Sequence, residues 1–306
     1  MAQAKGAAKL RQWLSDPDKI VVAPGVHDGL TARMALSVGF DALYMTGAGT
    51  AVSRLGQPDL GLTSVDDMAT NAGMIAGLDR DVPVIADADT GFGGPLMVAR
   101  TTEKYILQGV AGFHLEDQIT TKRCGHLLGK ELVDVNTYTA RIKAAAHARE
   151  RMGQDIVIIA RTDALQSLGY DEAILRLKAA VAAGADVAFL EGMDSKEQMS
   201  KVVKELAPTP CFLNMVGGGV TPLINSKEAK ELGFKIVIWP MVGMTSVYLA
   251  TREFCRELKE TGEIKDRHDK DGKIDGGVRD VFEVCGLSKC SEFDKEMGGS
   301  SFLKGA

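Results

Sequence analysis

The run Lys122-Arg123-Cys124-Gly125-His126 gathers two cations, a thiol, a glycine and an imidazole within five residues. A thiol acts as acid, base or nucleophile only when its pKa is drawn toward neutrality, and adjacent cations do this by stabilising the thiolate. Gly125 and Gly129 suit a mobile loop around Cys124. The block reads equally well as an exposed basic loop with an incidental cysteine, because charge runs are ordinarily solvated. What gives it weight is its place. It follows the apolar run Phe113-His114-Leu115, which ends in Glu116, Asp117 and Gln118.

Polar residues at the ends of apolar runs recur along the chain: Thr46, Asp87, Asp89, Glu116, Asp117, Arg161, Asp163, Glu191 and Asn214. Burying an unpaired charge is costly, so each needs a partner or a task. Asp87 and Asp89 lie two apart on one strand, and such side chains share a face. With Glu116 from the next strand they make an all-oxygen cluster, which suits Mg²⁺, or Mn²⁺, better than zinc. Arg161 offers a planar fork for a substrate carboxylate. Asp117 and Asp163 read more simply as members of ion pairs. His114, inside a strand, reads as a core histidine with its polar atoms satisfied. Gly91, Gly93 and Gly94 suit either an anion cradle or a tight turn, and Trp239-Pro240 either packing or a pocket wall. Gly217-Gly218-Gly219 reads as a flexible loop over the same mouth.

The elements that must position these residues follow from hydrophobic periodicity. Eight nearly continuous apolar runs span Ile20 to Pro24, Ala42 to Thr46, Pro83 to Asp89, Gly112 to Asp117, Ile156 to Asp163, Val187 to Glu191, Cys211 to Met215 and Ile236 to Pro240. Runs of this kind suit strands buried on both faces, as parallel strands are. Helical patterns separate them at Leu30 to Val38, Val65 to Ala76, Leu96 to Gln108, Val135 to Arg151, Asp171 to Ala183, Ser195 to Leu206 and Ser226 to Leu232. Eight β-then-α units predict a closed α/β (β/α)₈ barrel of the TIM type, whose chemistry gathers at the C-terminal strand ends. A doubly wound sheet would need a Gly-rich phosphate turn after the first strand, and Pro24-Gly25-Val26-His27-Asp28-Gly29 lacks that pattern. The barrel is assigned to residues 1–260, including a helix over Thr245 to Lys259. Residues 261–306 form a polar linker and a C-terminal extension, with a helix over Val278 to Cys285 and a Gly/Ser-rich tail expected to fray.

Composition narrows the function. The 306 residues are 45% hydrophobic and 25% charged, ordinary for a globular protein, and the net charge of −5 gives no reason to expect nucleic acid or an anionic membrane. No apolar run approaches the length of a membrane span. The opening residues are basic and acid-free (Lys5, Lys9, Arg11), as in mitochondrial presequences, but Leu10, Trp13 and Leu14 make an ordinary helix face leading into the first strand. Five cysteines, odd in number and without metal-site spacing, point to reduced thiols and a cytoplasmic protein.

With these residues assembled, the chain resembles the isocitrate lyase/phosphoenolpyruvate mutase superfamily over roughly residues 8–260. Five motifs carry the likeness, in order: Tyr44-Met45-Thr46-Gly47-Ala48, Asp87-Ala88-Asp89-Thr90-Gly91-Phe92-Gly93, Glu116-Asp117-Gln118, the Lys122–His126 block, and Ala160-Arg161-Thr162-Asp163-Ala164. The cysteine block marks the lyase and hydrolase branch; the phosphorus–carbon mutases lack the cysteine. The resemblance implies that Asp87 binds Mg²⁺ directly, with Asp59, Asp89 and Glu116 reaching it through waters. It implies that Thr46, Gly47 and Ala48 hold one substrate carboxylate and that Arg161 reaches the substrate's polar groups. Glu191, Asn214, Gly125, His126 and Pro240 line the pocket, and Cys124, beside His126 on a gating loop, protonates a carbanion. The base is Tyr44 or a metal-bound water. The family also swaps its last helix between subunits and forms homotetramers as dimers of dimers, which would account for a partnerless helix after residue 276.

Within that branch the chain is similar to the fungal-type 2,3-dimethylmalate lyase and oxaloacetate hydrolase group, on Tyr44 to Gly49, Met97 to Thr101 and Ala164 to Tyr170. The hydrolases carry a serine at the end of the eighth strand, where this chain has Pro240. Most relatives carry a glutamate two or three residues after Asn214, where this chain has Met215-Val216-Gly217-Gly218-Gly219. The expected activity is therefore Mg²⁺-dependent carbon–carbon lysis of a branched 2-hydroxy di- or tricarboxylate. An oxaloacetate-type hydrolase and a non-catalytic dicarboxylate binder are the alternatives.

Overall fold

The computed structural model describes residues 5–125 and 127–300. The eight apolar runs form eight strands: β1 (Val21–Val26), β2 (Leu43–Met45), β3 (Val84–Asp87), β4 (Gly112–Glu116), β5 (Val157–Thr162), β6 (Val187–Leu190), β7 (Cys211–Asn214) and β8 (Ile236–Trp239). Each pairs in parallel with the next, and β8 closes on β1 through Val21↔Ile236 to Pro24↔Trp239. The expected (β/α)₈ barrel is present.

Alternation along each strand sorts its residues between two cores. Val21, Ala23, Tyr44, Ile85, Ile159, Phe189, Phe212 and Ile238 point inward and fill the barrel, while Leu10 of α1 (Lys5–Ser15) closes its floor. Their neighbours face outward onto the helices, as Met45, Ala86, Phe113 and Leu115 do. The surrounding helices are α2 (Gly29–Ser37), α3 (Gly47–Thr50), α4 (Val65–Leu78), α5 (Pro95–Leu107), α6 (Val135–Met152), α7 (Ala164–Leu168), α8 (Tyr170–Ala182), α9 (Lys196–Leu206) and α10 (Ser226–Glu231). Side-chain caps fix where several begin: Asp28, Ser64, Asp134, Ser195 and Asn225 each accept from a backbone N–H one turn on.

Three local features depart from the sequence reading. First, β3 ends at Asp87, and Asp89 lies beyond it with a left-handed φ of 47°, so the two aspartates do not share a strand face. Second, β2 runs into the short α3 and a π-helical turn over Ala51–Leu55 rather than directly into a loop. Third, the C-terminal segment holds α11 (Val242–Thr261), α12 (Val278–Val284) and α13 (Leu287–Glu296). Beyond residue 260 the sequence reading placed a helix only over Val278 to Cys285, and α13 follows it between Gly286 and Gly298.

The unpartnered part of the chain also begins earlier than residue 276. The first turn of α11 abuts β1, where a Cβ on Gly243 would lie 2.9 Å from the Gly25 carbonyl oxygen. Yet α11 buries none of its twenty residues, nor do α12 and α13. Val247, Tyr248, Leu249, Phe282 and Phe293 are exposed. No helix among the described residues is long and apolar enough to cross a membrane.

Candidate active site

The inward alternation that fills the barrel with apolar side chains changes character at the C-terminal ends. The next inward positions are Asp87 after Ile85, Glu116 after His114, Arg161 after Ile159, Glu191 after Phe189, and Asn214 after Phe212. All but Asn214 are almost fully buried. Their partners decide what each can do.

Arg161 is held by three carboxylates. Its Nε and Nη2 each lie 3.0 Å from an Asp163 oxygen, its Nη1 is 3.2 Å from Glu116 Oε2, and Nη2 is 3.7 Å from Glu191. Burial works against its charge, but Asp163, Glu116 and Glu191 outweigh it and hold the pKa well above the ordinary value. One edge of the guanidinium, Nε and Nη2, is thus taken by Asp163, the ion-pair role anticipated for that aspartate, while Nη1 lies beside Glu116. Asp117 behaves likewise, pairing with Arg176 at 3.1 Å and accepting from Thr162 at 2.6 Å.

Lys122 reaches two acidic loops. Its ammonium is buried and lies 2.5 Å from both Asp59 and Asp89, which sit on other loops. Burial disfavours its charge, but Asp89, Glu116, Asp59 and Asp87 together raise its pKa. Arg123 donates to the Leu128 carbonyl. The sequence block is therefore tied down as a strap. At one end Lys122 ties it to Asp59 and Asp89. At the other, Lys130 donates to the Gly125 carbonyl and lies 3.3 Å from Asp163. Between them Cys124 is half-buried and its amide donates to the Asp59 carbonyl at 3.1 Å. Gly125 rests directly on Arg161, since a Cβ there would overlap Nη2. His126 lies outside the described residues.

Asp87 is the least compensated carboxylate. One oxygen accepts from the Asp89 amide at 2.9 Å, and Gly47 packs so closely that a Cβ would overlap the other. Burial, then the charge of Asp89, pushes its pKa up to about 7 against the opposing pull of Lys122 and Arg161. Glu116 is raised well above its ordinary value, first by burial, with Arg161 opposing. One ligand atom each from Asp87, His114 and Glu116 lie within 4.8 Å of one another. Among the described residues, six carboxylates (Asp59, Asp87, Asp89, Glu116, Asp163, Glu191) face Lys122, Lys130 and Arg161 across this mouth.

His114 does more than fill the core. Its Nε2 is 2.8 Å from the Tyr44 hydroxyl, the two rings stack, and its Nδ1, with no hydrogen-bond partner, faces Asp87 at 3.6 Å. Burial, then Arg161 and Lys122, lowers its pKa well below the usual value, so it is neutral. Burial and the charge of Asp87 raise the Tyr44 phenol well above 10. In the absence of a cation Tyr44 therefore holds its proton more tightly than a free phenol does.

The remaining predicted residues border the same mouth. Thr46 caps α3, accepting from the Gly49 amide at 3.2 Å, with Gly47 and Ala48 following. Asn214 donates to Glu191 at 3.0 Å, and its own carbonyl oxygen, buried, has no partner. Pro240 is buried where β8 meets β1, and Trp239 packs outward among the helices. Gly91, at φ 82°, makes a tight turn against Val98 rather than an anion cradle. Sequence reasoning missed Asn71, which donates to the His27 carbonyl and to Thr50, both at 3.0 Å, tying α4 to the loop after β1 and to α3. Nothing local marks an asparagine on a helix for this task.

A family model described as phosphoenolpyruvate phosphomutase matches residues 10–259. The chain belongs to the PEP mutase/isocitrate lyase superfamily. It is 46% identical over 246 residues to 2,3-dimethylmalate lyase of Eubacterium barkeri, an alignment covering 80% of this chain and 82% of the relative. The crystal structure of a 2,3-dimethylmalate lyase of this superfamily is similar with a TM-score of 0.94 at 53% identity, covering 100% of this chain and 99% of the other. An oxaloacetate acetylhydrolase bound to the inhibitor 3,3-difluorooxalacetate is similar with a TM-score of 0.93 at 52% identity, covering 99% and 100%.

Proposed function

We propose that this chain is a Mg²⁺-dependent carbon–carbon lyase that cleaves a branched 2-hydroxy di- or tricarboxylate, of the 2,3-dimethylmalate or 2-methylisocitrate kind, to a 2-keto acid and a carboxylate. The observation that carries the reading is one mouth in which Asp87, short of counter-charge, and Glu116 sit with Arg161 under the strap of Cys124.

Asp87 and Glu116 fit a divalent cation. Burial raises both, Glu116 even beside Arg161 and Asp87 against Lys122 and Arg161, which is how buried carboxylates short of positive charge behave, and oxygen donors suit Mg²⁺ or Mn²⁺. Tyr44, donating to His114 Nε2, leaves the imidazole proton on Nδ1 and aimed at Asp87, which keeps the histidine as a support for the carboxylate. Once bound, the cation supplies charge neutralisation to a chelated hydroxy-carboxylate. Asp59 and Asp89 hold Lys122 and so keep the strap over the mouth. The hydroxyl of Thr46, the amides of Gly47 and Ala48 and the guanidinium of Arg161 orient the substrate carboxylates, with Glu191, Asn214 and Gly125 bordering them.

In the reaction a base in the mouth takes the proton of the substrate hydroxyl, and the O–H electron pair forms the keto C=O as the adjacent C–C bond breaks. The electron pair of that C–C bond remains on the departing carboxylate as an enediolate. Cys124 gives that carbon its proton, and the closed strap keeps competing water out.

Oxaloacetate hydrolysis is the second reading, favoured by the likeness to an oxaloacetate acetylhydrolase. Pro240 opposes it, having no hydroxyl to set beside a hydrated ketone. The deciding assay follows keto-acid release with Mg²⁺ on 2,3-dimethylmalate, 2-methylisocitrate and oxaloacetate in parallel. Pyruvate from a hydroxy acid, with oxaloacetate untouched, supports the lyase. Oxalate and acetate from oxaloacetate support the hydrolase, and silence on all three leaves a dicarboxylate-binding relative. We also infer that the apolar residues of α11–α13 are covered by a second copy, in a homotetramer built as a dimer of dimers, and that the protein works in the cytoplasm.

A further inference from the structure

Two strand ends that carry site residues are gripped from behind, through the barrel wall, by tyrosines of the outer helices. Tyr105 on α5 is wholly buried and donates its hydroxyl to the Asp87 carbonyl at 2.6 Å. Tyr138 on α6, equally buried, donates to the Arg161 carbonyl at 2.7 Å. Neither tyrosine reaches the mouth, and neither belongs to a motif that drew attention in the sequence.

The two carbonyls lie where strand pairing gives out. The β2–β3 register stops at Met45↔Ala86, one residue short of Asp87, and the β4–β5 register stops at Glu116↔Arg161. A buried carbonyl needs a donor, and a water would satisfy it without fixing anything. A tyrosine is different, because its hydroxyl is anchored to a helix by a rigid ring. The Tyr105 ring packs edge-on against Phe113 of β4, with centroids 5.7 Å apart, and α5 and α6 pack against each other. Each tyrosine thereby fixes one peptide plane, and with it the direction in which one site side chain leaves the strand.

We propose that Tyr105 and Tyr138 are positioning residues for separate halves of the site. Tyr105 aims Asp87 at the divalent cation, and Tyr138 aims Arg161 at the substrate carboxylate. The inference rests on the functional reading above, and it adds that the two halves can be loosened one at a time.

Tyr105→Phe and Tyr138→Phe keep the ring and its packing and remove only the hydroxyl. The test is calorimetric titration of metal-stripped protein, first with Mg²⁺ alone and then with oxalate, a small dicarboxylate, at saturating Mg²⁺. Tyr105→Phe should weaken Mg²⁺ by about ten-fold or more, the scale of losing an outer support of a metal ligand, and leave oxalate affinity at saturating Mg²⁺ unchanged. Tyr138→Phe should do the reverse, weakening oxalate while Mg²⁺ binds as in the parent. Melting of both variants in EDTA measures any general loosening. Unchanged affinities beside a lowered Tm, or equal losses of both ligands in both variants, would overturn the proposal, because a merely structural tyrosine gives those patterns. A parent protein that fails to bind Mg²⁺ would instead remove the functional reading, and this inference with it.

Discussion

At the mouth, Lys122 is buried between Asp59 and Asp89, and Arg161 among Glu116, Asp163 and Glu191. Along α11, Val247, Tyr248 and Leu249 stand in solvent on a helix that buries nothing. The first region satisfies costly charges within one chain, down to glycines that leave room for a neighbour's carboxylate or guanidinium. The second leaves inexpensive apolar groups unsatisfied. A surface of that kind marks an interaction site. The contrast sets charges paired within one barrel against an arm whose apolar side chains find no cover among the described residues.

The largest effect that would test this division lies at the strap. Cys124→Ala should lower kcat for keto-acid release by about 10²- to 10⁴-fold, the range of a general acid, with Mg²⁺ affinity by calorimetry unchanged. An active alanine variant would take the thiol out of the mechanism.

Next in size is Lys122→Met. It leaves Asp59 and Asp89 without their shared ammonium, and breaking a buried pair costs about 3–5 kcal/mol. Thermal melting should show a fall of that scale in EDTA, and a neutral result would mean the strap is not tied as described.

The cation-free mouth should also make stability depend on pH. The Asp87 carboxyl titrates near 7 when folded against 3.8 ordinarily. With a raised acid pKa, the unfolded chain sheds its proton first as pH climbs. The contribution of Asp87 is therefore lost from about pH 4 up to about pH 7 and then levels. Mg²⁺ binds the ionised form, so it should raise the Tm more at about pH 8 than at about pH 5. An equal Mg²⁺ shift at both values would remove Asp87 from the cation site.

For the arm, the pair Tyr248→Asp and Leu249→Asp should shrink the particle seen by sedimentation while the subunits stay folded. If instead those residues remain in water, the change should cost no more than about 0.5 kcal/mol and leave the particle size alone. The smallest effect concerns Cys211, whose thiol burial raises to about 12. It should resist iodoacetamide in the native protein, by peptide mass mapping, and react once the chain is unfolded.

Much of this was legible because parallel strands announce themselves as apolar runs, and their polar ends stand out. Asp87, Glu116, Arg161, Glu191 and Asn214 were found that way, and the structure brings them to one mouth. What was not legible is where long side chains go. Lys122 is two residues from Cys124 in sequence, yet it spends its charge 63 positions away on Asp59. Arg161 reads as a fork for substrate, yet one edge of that fork is taken by Asp163, two residues along the same chain. Tyr105, Tyr138 and Asn71 look like ordinary helix residues, because their partners are set by packing between layers. The C-terminal helix after residue 276 was read without a partner, but the exposure of α11 was not, because it is amphipathic like a barrel helix and periodicity does not say what its apolar face meets.

The seam between β8 and β1 bears on how this pocket can be redesigned. Gly25 sits so close to the Pro240 carbonyl that any side chain at 25 would overlap it. Both walls there are main chain, and main chain does not retreat when a neighbour is mutated. A library aimed at bulkier acids would spend its diversity poorly at positions 25 and 240. Gly217 is the opposite case, with nothing within 4 Å of an added Cβ and no left-handed backbone to resist one. Directed evolution of this barrel toward new acids has its cheapest foothold there.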